Sequence, residues 1–380
     1  MNKIKNFILI LSSIIFALIL LEFYLIFSNS YTHLVKNNLI PSNTIWTNQE
    51  NSQIIYSHPD MNYPVKSNYR KSGVKANFLI NQNFLYEGFF GDSTTDNRRI
   101  EYDYNFTTLY NEILGKNIAL NFGVDGFGLD QSFIRYLNVK NDFKLSKIFY
   151  VFSHNDLANI LQTKLFELSN RDELVQAKHQ LNFKNKIFRL FSTLRLTYFA
   201  MSSYQKIIGK NSDIYYLKDR FVKDFVNEEK NFYKLWKPRF FAIDADSVIK
   251  DLFSSSPTAQ TIEAKKIFNS ILDSWAKDAK SQGSDFYIIV LPDEISRNAF
   301  KKIINNEDFY KIIYFKERFL NLKYNLSVGH WNEIGNLSGA LDLADYFKFS
   351  YKNNFSDNKI IKIKNLYKDN KSEFKIYKNN

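Results

Sequence analysis

Cysteine is absent from the 380 residues. That excludes disulfides, thiolate metal sites and a cysteine nucleophile, but not an exported location, because exported proteins can also dispense with disulfides. No nucleic-acid module is recognisable, and no internal repeat is visible. The one glycine-rich loop (Gly123, Gly126, Gly128) lacks the G-x-G-x-x-G order of a dinucleotide site. What is present suits a folded protein: 45% hydrophobic and 24% charged residues, with 36 Phe and 24 Tyr as core material. The net charge is +12. Residues 351–380 hold eight Lys against Asp357, Asp369 and Glu373, a local balance of +5, and they read as a peripheral basic tail. Elsewhere Lys is interleaved with Asn, Ile, Tyr and Phe, and no nucleic-acid partner is expected.

The N-terminus is the sharpest compositional feature. Lys3 and Lys5 precede an apolar stretch from Phe7 to Phe27 that only Glu22 interrupts. About 20 helical residues cross the hydrocarbon core of a bilayer. The exit, Phe27-Ser28-Asn29-Ser30, offers no Ala-x-Ala-like cleavage site. The expectation is an uncleaved signal anchor over 7–27, with residues 1–6 cytosolic and the bulk outside; a cleaved export signal is the alternative. In a Gram-negative cell the outer compartment would be the periplasm. Glu22 lies near the outer end, where it can reach the interface.

Residues 28–80 are polar and dotted with Pro41, Pro59, Pro64 and Gly73, and read as a stalk and approach segment. The main domain is expected over 81–350. Strands are predicted at 84–90, 117–122, 147–152 and 286–291, where near-continuous apolar runs suit parallel strands covered on both faces. Helical patterns fall at 106–114, 129–137, 261–279 and 333–347. This alternation predicts an α/β fold with a central parallel sheet. Residues 161–257 break the rhythm and read as a mostly helical insertion, with a patch at 219–235. It is either a lid or a second helical layer.

Four short segments follow predicted strands or precede the last helix: Gly91-Asp92-Ser93-Thr94, Asn121-Phe122-Gly123, Ser153-His154-Asn155-Asp156 and Gly329-His330-Trp331-Asn332. In open α/β sheets, ligands bind at the carboxyl ends of the strands. A serine between strand and helix exposes its hydroxyl near backbone N–H groups, although Asp92-Ser93-Thr94 also reads as a turn with a helix cap. A serine hydroxyl needs a neighbouring base. His330 is one of five histidines and the one set before a late helix; His154, beside Asn155, is the runner-up. Gly123 lets a substrate approach the backbone, or simply makes a turn. Asn155 offers an amide to an oxyanion, or caps a helix together with Asp156.

These blocks, in this order and spacing, resemble the SGNH hydrolases, the GDSL-like lipase/esterase superfamily. Ser93, Gly123, Asn155 and His330 match the four letters of that name over residues 84–160 and 284–347. The resemblance implies a flavodoxin-like three-layer α/β/α sandwich that hydrolyses or transfers acyl esters without metal or organic cofactor. It implies Ser93 as nucleophile, His330 as base, and an oxyanion hole from the N–H groups of Ser93 and Gly123 and the Asn155 amide. One departure matters. The family's Asp three residues before the histidine is here Ser327. A Ser-His dyad aided by Ser327 or a backbone carbonyl, a substitute carboxylate from Asp293 or Glu294, or a non-catalytic binder would each accommodate it. Asp92 and His154 complete the candidate lining. The expected function is a membrane-anchored serine esterase or acyltransferase acting on an acyl ester, with O-acyl groups of a cell-surface glycan as the substrate class. The alternatives are a glycan- or lipid-binding protein on the same fold, and a membrane assembly protein.

Overall fold

The structure is a computed structural model describing residues 2–28, 39–41, 46–48, 50–56, 65–81, 83–171, 173–177, 194–197, 199–200, 203, 244–316, 330–349 and 361. The chain forms two compact units: Met1–Asn37 with Gln180–Phe232, and Asn38–His179 with Tyr233–Asn380.

The first unit is built on α1 (Asn2–Phe27). No Gly or Pro interrupts this run, and Ser12 and Ser13 return their hydroxyls to the carbonyls of Ile8 and Leu9 at 2.8 and 2.9 Å. That local bonding hides two polar groups that would otherwise face an apolar surrounding. At 1.5 Å per residue the helix is about 39 Å long, enough to cross a hydrocarbon core of about 30 Å. Phe7, Leu9 and Phe16 are exposed along it. Glu22 does not simply reach an interface: its carboxylate accepts the N–H groups of Arg195 and Leu196 at 2.9 and 2.7 Å. Part of the 161–257 insertion therefore packs with the N-terminal helix. The patch at 219–235 and the tail from 351, residue 361 apart, lie outside the described residues.

The second unit opens with two antiparallel pairs, β1 (Leu39–Pro41) with β2 (Trp46–Asn48) and β3 (Ser52–Tyr56) with β4 (Val65–Tyr69). Its sheet comprises β5 (Leu85–Gly91), β6 (Ala119–Asn121), β7 (Lys144–Phe152), β10 (Asp285–Val290) and β11 (Lys311–Tyr314); β8 (Phe166–Leu168) and β9 (Leu174–Gln176) form a separate hairpin. The five strands are parallel in the order β6-β5-β7-β10-β11. Counted along the chain this is 2-1-3-4-5, the flavodoxin-like order, whose switch point lies between β5 and β7.

Alternation along the strands feeds two cores. Phe286, Ile288 and Val290 join one core with Phe90, Tyr150 and Phe152. It is covered by α4 (Leu129–Val139), α5 (Asp156–Thr163), α6 (Ala245–Leu252), α7 (Ala259–Ser281) and α8 (Glu294–Ile303). Tyr287, Ile289 and Leu291 join the other with Phe89, Phe149 and Val151, under α3 (Phe106–Leu114) and α9 (Glu333–Tyr346). The fold is thus a three-layer α/β/α sandwich.

The approach segment departs from expectation. Val65, Tyr69, Val74, Lys75 and Ala76 are fully buried, and Lys75 bridges to Asn121 beside the sheet. The second compact unit takes in the chain from Asn38 through His179. Within the insertion, β8, β9 and α6 belong to this second unit.

Candidate active site

The switch point gathers the loops after β5 and β7. Ser93 is the first residue of α2 (Ser93–Asp96), and Asp92 caps that helix by accepting the Thr94 N–H at 2.7 Å. As a first-turn residue, Ser93 has no intrahelical partner for its N–H, and no other acceptor takes it among the described residues. His330 approaches from a segment 237 residues later, with Nε2 at 2.7 Å from Ser93 Oγ. Both side chains are buried, Ser93 at 7% and His330 at 8% exposure, so their contact is screened little by water. With Nε2 unprotonated the imidazole accepts the serine proton, which is what a general base requires.

The loop after β6 carries two glycines with different jobs. The Gly123 N–H donates to Asn121 Oδ1 at 2.9 Å and is committed inside the loop. A Cβ on Gly123 would lie 2.5 Å from the Asp96 backbone N, so its glycine is needed for close packing. Gly126 has φ +88°, a Cβ there would meet nothing within 4 Å, and its N–H has no partner among the described residues. The N–H expected to be free at Gly123 is thus bonded within its own loop, and the unbonded N–H of this loop among the described residues is at Gly126. Only the Asn121 bond, invisible in the chain order, distinguishes the two glycine N–H groups.

After β7, Asn155 occupies the N-cap position of α5 yet makes no side-chain cap bond, which leaves its amide uncommitted among the described residues. The turn below it is held by Asp156, whose Oδ2 accepts the Ser153 N–H at 3.0 Å and the Tyr150 hydroxyl. Burial, reinforced by the Asp92 charge, pushes the Asp156 carboxyl well above the usual carboxylate range. His154 is half-buried and has no side-chain hydrogen bond among the described residues.

Behind Ser93 lies a buried ionic cluster. Asp96 pairs with Arg98 at 2.5 Å, accepts the Tyr69 hydroxyl at 3.0 Å, and stands 3.8 Å from Lys75 Nζ. Burial alone would raise the Asp96 carboxyl, but Arg98 and Lys75 outweigh it and hold it below its usual range. Burial also lowers the Lys75 ammonium to about 8. Lys75 Nζ donates to the carbonyls of Asp96 and Asn97, at 2.6 and 3.3 Å, which fixes the end of α2.

Asp293 is exposed and caps α8 by accepting the Ser296 N–H at 2.7 Å; Glu294 beside it is exposed as well. Ser327 lies outside the described residues.

No family model matches the chain, and no curated protein matches it. Solved structures do. One is a member of the lipolytic G-D-S-L family from Veillonella parvula, at 11% identity and TM-score 0.34, covering 70% of this chain and 99% of that one. Another is a catalytic mutant of Axe2, an acetylxylan esterase from Geobacillus stearothermophilus, at 10% identity and TM-score 0.36, covering 72% and 98%. Scores this low carry no argument about activity. What stands on the strand order and the two cores is the fold, a flavodoxin-like α/β/α sandwich with Ser93, Asn155 and His330 at its switch point.

Proposed function

We propose that the chain is a serine esterase or acyltransferase of the SGNH type, held to a membrane by α1 with its second unit outside the cytosol. The observation that carries this reading is the 2.7 Å contact between His330 Nε2 and Ser93 Oγ at the switch point. In the proposed reaction Ser93 Oγ attacks the acyl carbon while its proton passes to His330 Nε2. The carbonyl oxygen gains negative charge and is met by the N–H groups of Ser93 and Gly126 and the Asn155 amide. Such donors are worth about 3–4 kcal/mol each in favourable cases. Collapse expels the alcohol, which takes the proton from His330 and leaves an acyl-Ser93. Water or an acceptor hydroxyl, deprotonated by His330, then releases the acyl group as acid or new ester.

The substrate class we propose is an O-acyl group on a cell-surface glycan. It rests on the outward placement proposed above for the second unit and is supported by the exposed, apolar α1. The test is turnover of p-nitrophenyl acetate by wild type and Ser93→Ala, with melting curves beside it. The expected outcome is a fall of at least about 10³-fold at unchanged melting temperature. Equal turnover by the variant would remove Ser93 from the mechanism and favour a binding role for the fold.

A further inference from the structure

We propose that Asn97 is a positioning residue that sets the reach of His330 to Ser93, an inference that rests on the reading of these two as the working pair. Asn97 follows α2 in the left-handed region, at φ 32° and ψ 62°. Asparagine tolerates that region better than most residues, but glycine would do so without cost. The side chain is fully buried. Its Nδ2 donates to the Trp331 carbonyl at 2.9 Å, across 234 residues of sequence, while its Oδ1 is buried with no partner. A buried orphan acceptor is a liability, and left-handed backbone at a non-glycine residue adds to it. The side chain's compensation is this one bond, made to the residue next to His330.

The contacts close a ring. The Asn97 N–H donates to the Ser93 carbonyl at 2.9 Å, the Asn97 amide donates to the Trp331 carbonyl, and His330 Nε2 meets Ser93 Oγ at 2.7 Å. Lys75, held against Asp96, grips the Asn97 carbonyl and stiffens the ring from behind. On the far side Asn336 Nδ2 donates to the carbonyls of Asn332 and Trp331 at 2.9 and 3.4 Å, and the Trp331 ring stacks on Phe315. Asn336 and Phe315 secure the histidine segment to its own layer. Asn97, the residue that follows the nucleophile's helix, holds it by the Trp331 carbonyl.

Asn97→Gly tests this cleanly, because glycine keeps the left-handed turn and deletes only the amide. Two readouts are needed on the full-length protein. The first is peptide-resolved carbethoxylation by diethyl pyrocarbonate, which needs no catalysis. His330 should react several-fold faster in the variant, with His154 unchanged as the internal control. The second is p-nitrophenyl acetate kinetics. A displacement of about 1 Å can cost about 10²-fold in rate, so kcat should fall ten- to a hundred-fold at unchanged KM. In a His330→Ala background Asn97→Gly should cost nothing more. Unchanged His330 reactivity would overturn the proposal. So would a variant in which melting temperature drops and His154 and His330 become reactive together, since that marks a merely structural residue. If wild type cleaves no ester, the proposed function fails, and the carbethoxylation result still decides the role of Asn97.

Discussion

Ser93 and His330 meet in a place that burial makes consequential, and the residues around them divide into those that would face the proposed reaction and those that hold the frame. Gly123 and Gly126 illustrate the division. Gly123→Ala puts a methyl 2.5 Å from the Asp96 backbone nitrogen, which cannot move without displacing the end of α2. It should lower the melting temperature by several degrees, as overpacking of about 1–3 kcal/mol does. Gly126→Ala meets open space but is strained at φ +88°. It should melt closer to wild type and lose turnover, because an alanine relieves the strain by turning the loop and with it the N–H proposed to meet the oxyanion. Thermal melts with turnover per folded molecule distinguish the two, and the opposite pattern would return the donor role to Gly123.

Asp130 makes a second residue-scale prediction. Burial raises its carboxyl to about 6, although Thr163 and the Gln131 N–H bond to it. An unfolded Asp titrates near its ordinary value of about 3.9. Between roughly pH 4 and pH 6 the unfolded chain therefore loses this proton first, so stability falls as pH rises through that window and stays lower above it. Two units correspond to about 3 kcal/mol as an upper bound. Asp130→Asn should remove this component, seen as a smaller drop in the denaturant midpoint from pH 4 to pH 7. An identical drop in both proteins would contradict it.

At the scale of elements, the sequence was most readable where apolar runs are long. The strand predicted at 286–291 is β10 at Asp285–Val290, and the helix predicted at 261–279 is the body of α7 at Ala259–Ser281. What escaped has physical reasons. β11 is four residues at the sheet edge, Lys-Ile-Ile-Tyr, too short for a period to show. Residues 65–80 look like a polar stalk because Ser67 and Lys75 are polar, yet both are buried there. Asn97 and Asn336 carry no motif, and only tertiary contact reveals their work. Asp293 tests the reading of its own element. It caps α8, so Asp293→Ala should cost about 1 kcal/mol of stability and leave ester turnover within two-fold. A loss of orders of magnitude would instead make it the carboxylate that orients His330.

For the whole molecule the open question is where the second unit resides, and the absence of cysteine makes it tractable. A single Leu79→Cys substitution, at a side chain 87% exposed, gives one reporter thiol. If α1 anchors the chain as proposed, a membrane-impermeant maleimide should label it in cells whose cytosolic face is sealed. Labelling only after lysis would place the unit inside and remove the basis for a surface glycan as substrate.

The central claim is that Ser93 is a nucleophile activated by His330, and reaction with a fluorophosphonate measures it most directly. The reagent needs no guess about the acyl group or its alcohol. Wild type should take up one phosphonyl group, located by peptide mass spectrometry at Ser93, while Ser93→Ala takes up none and His330→Ala reacts at least about 10³-fold more slowly. Failure of folded, full-length wild type to react, or uptake at another serine with Ser93 left intact, would contradict the account.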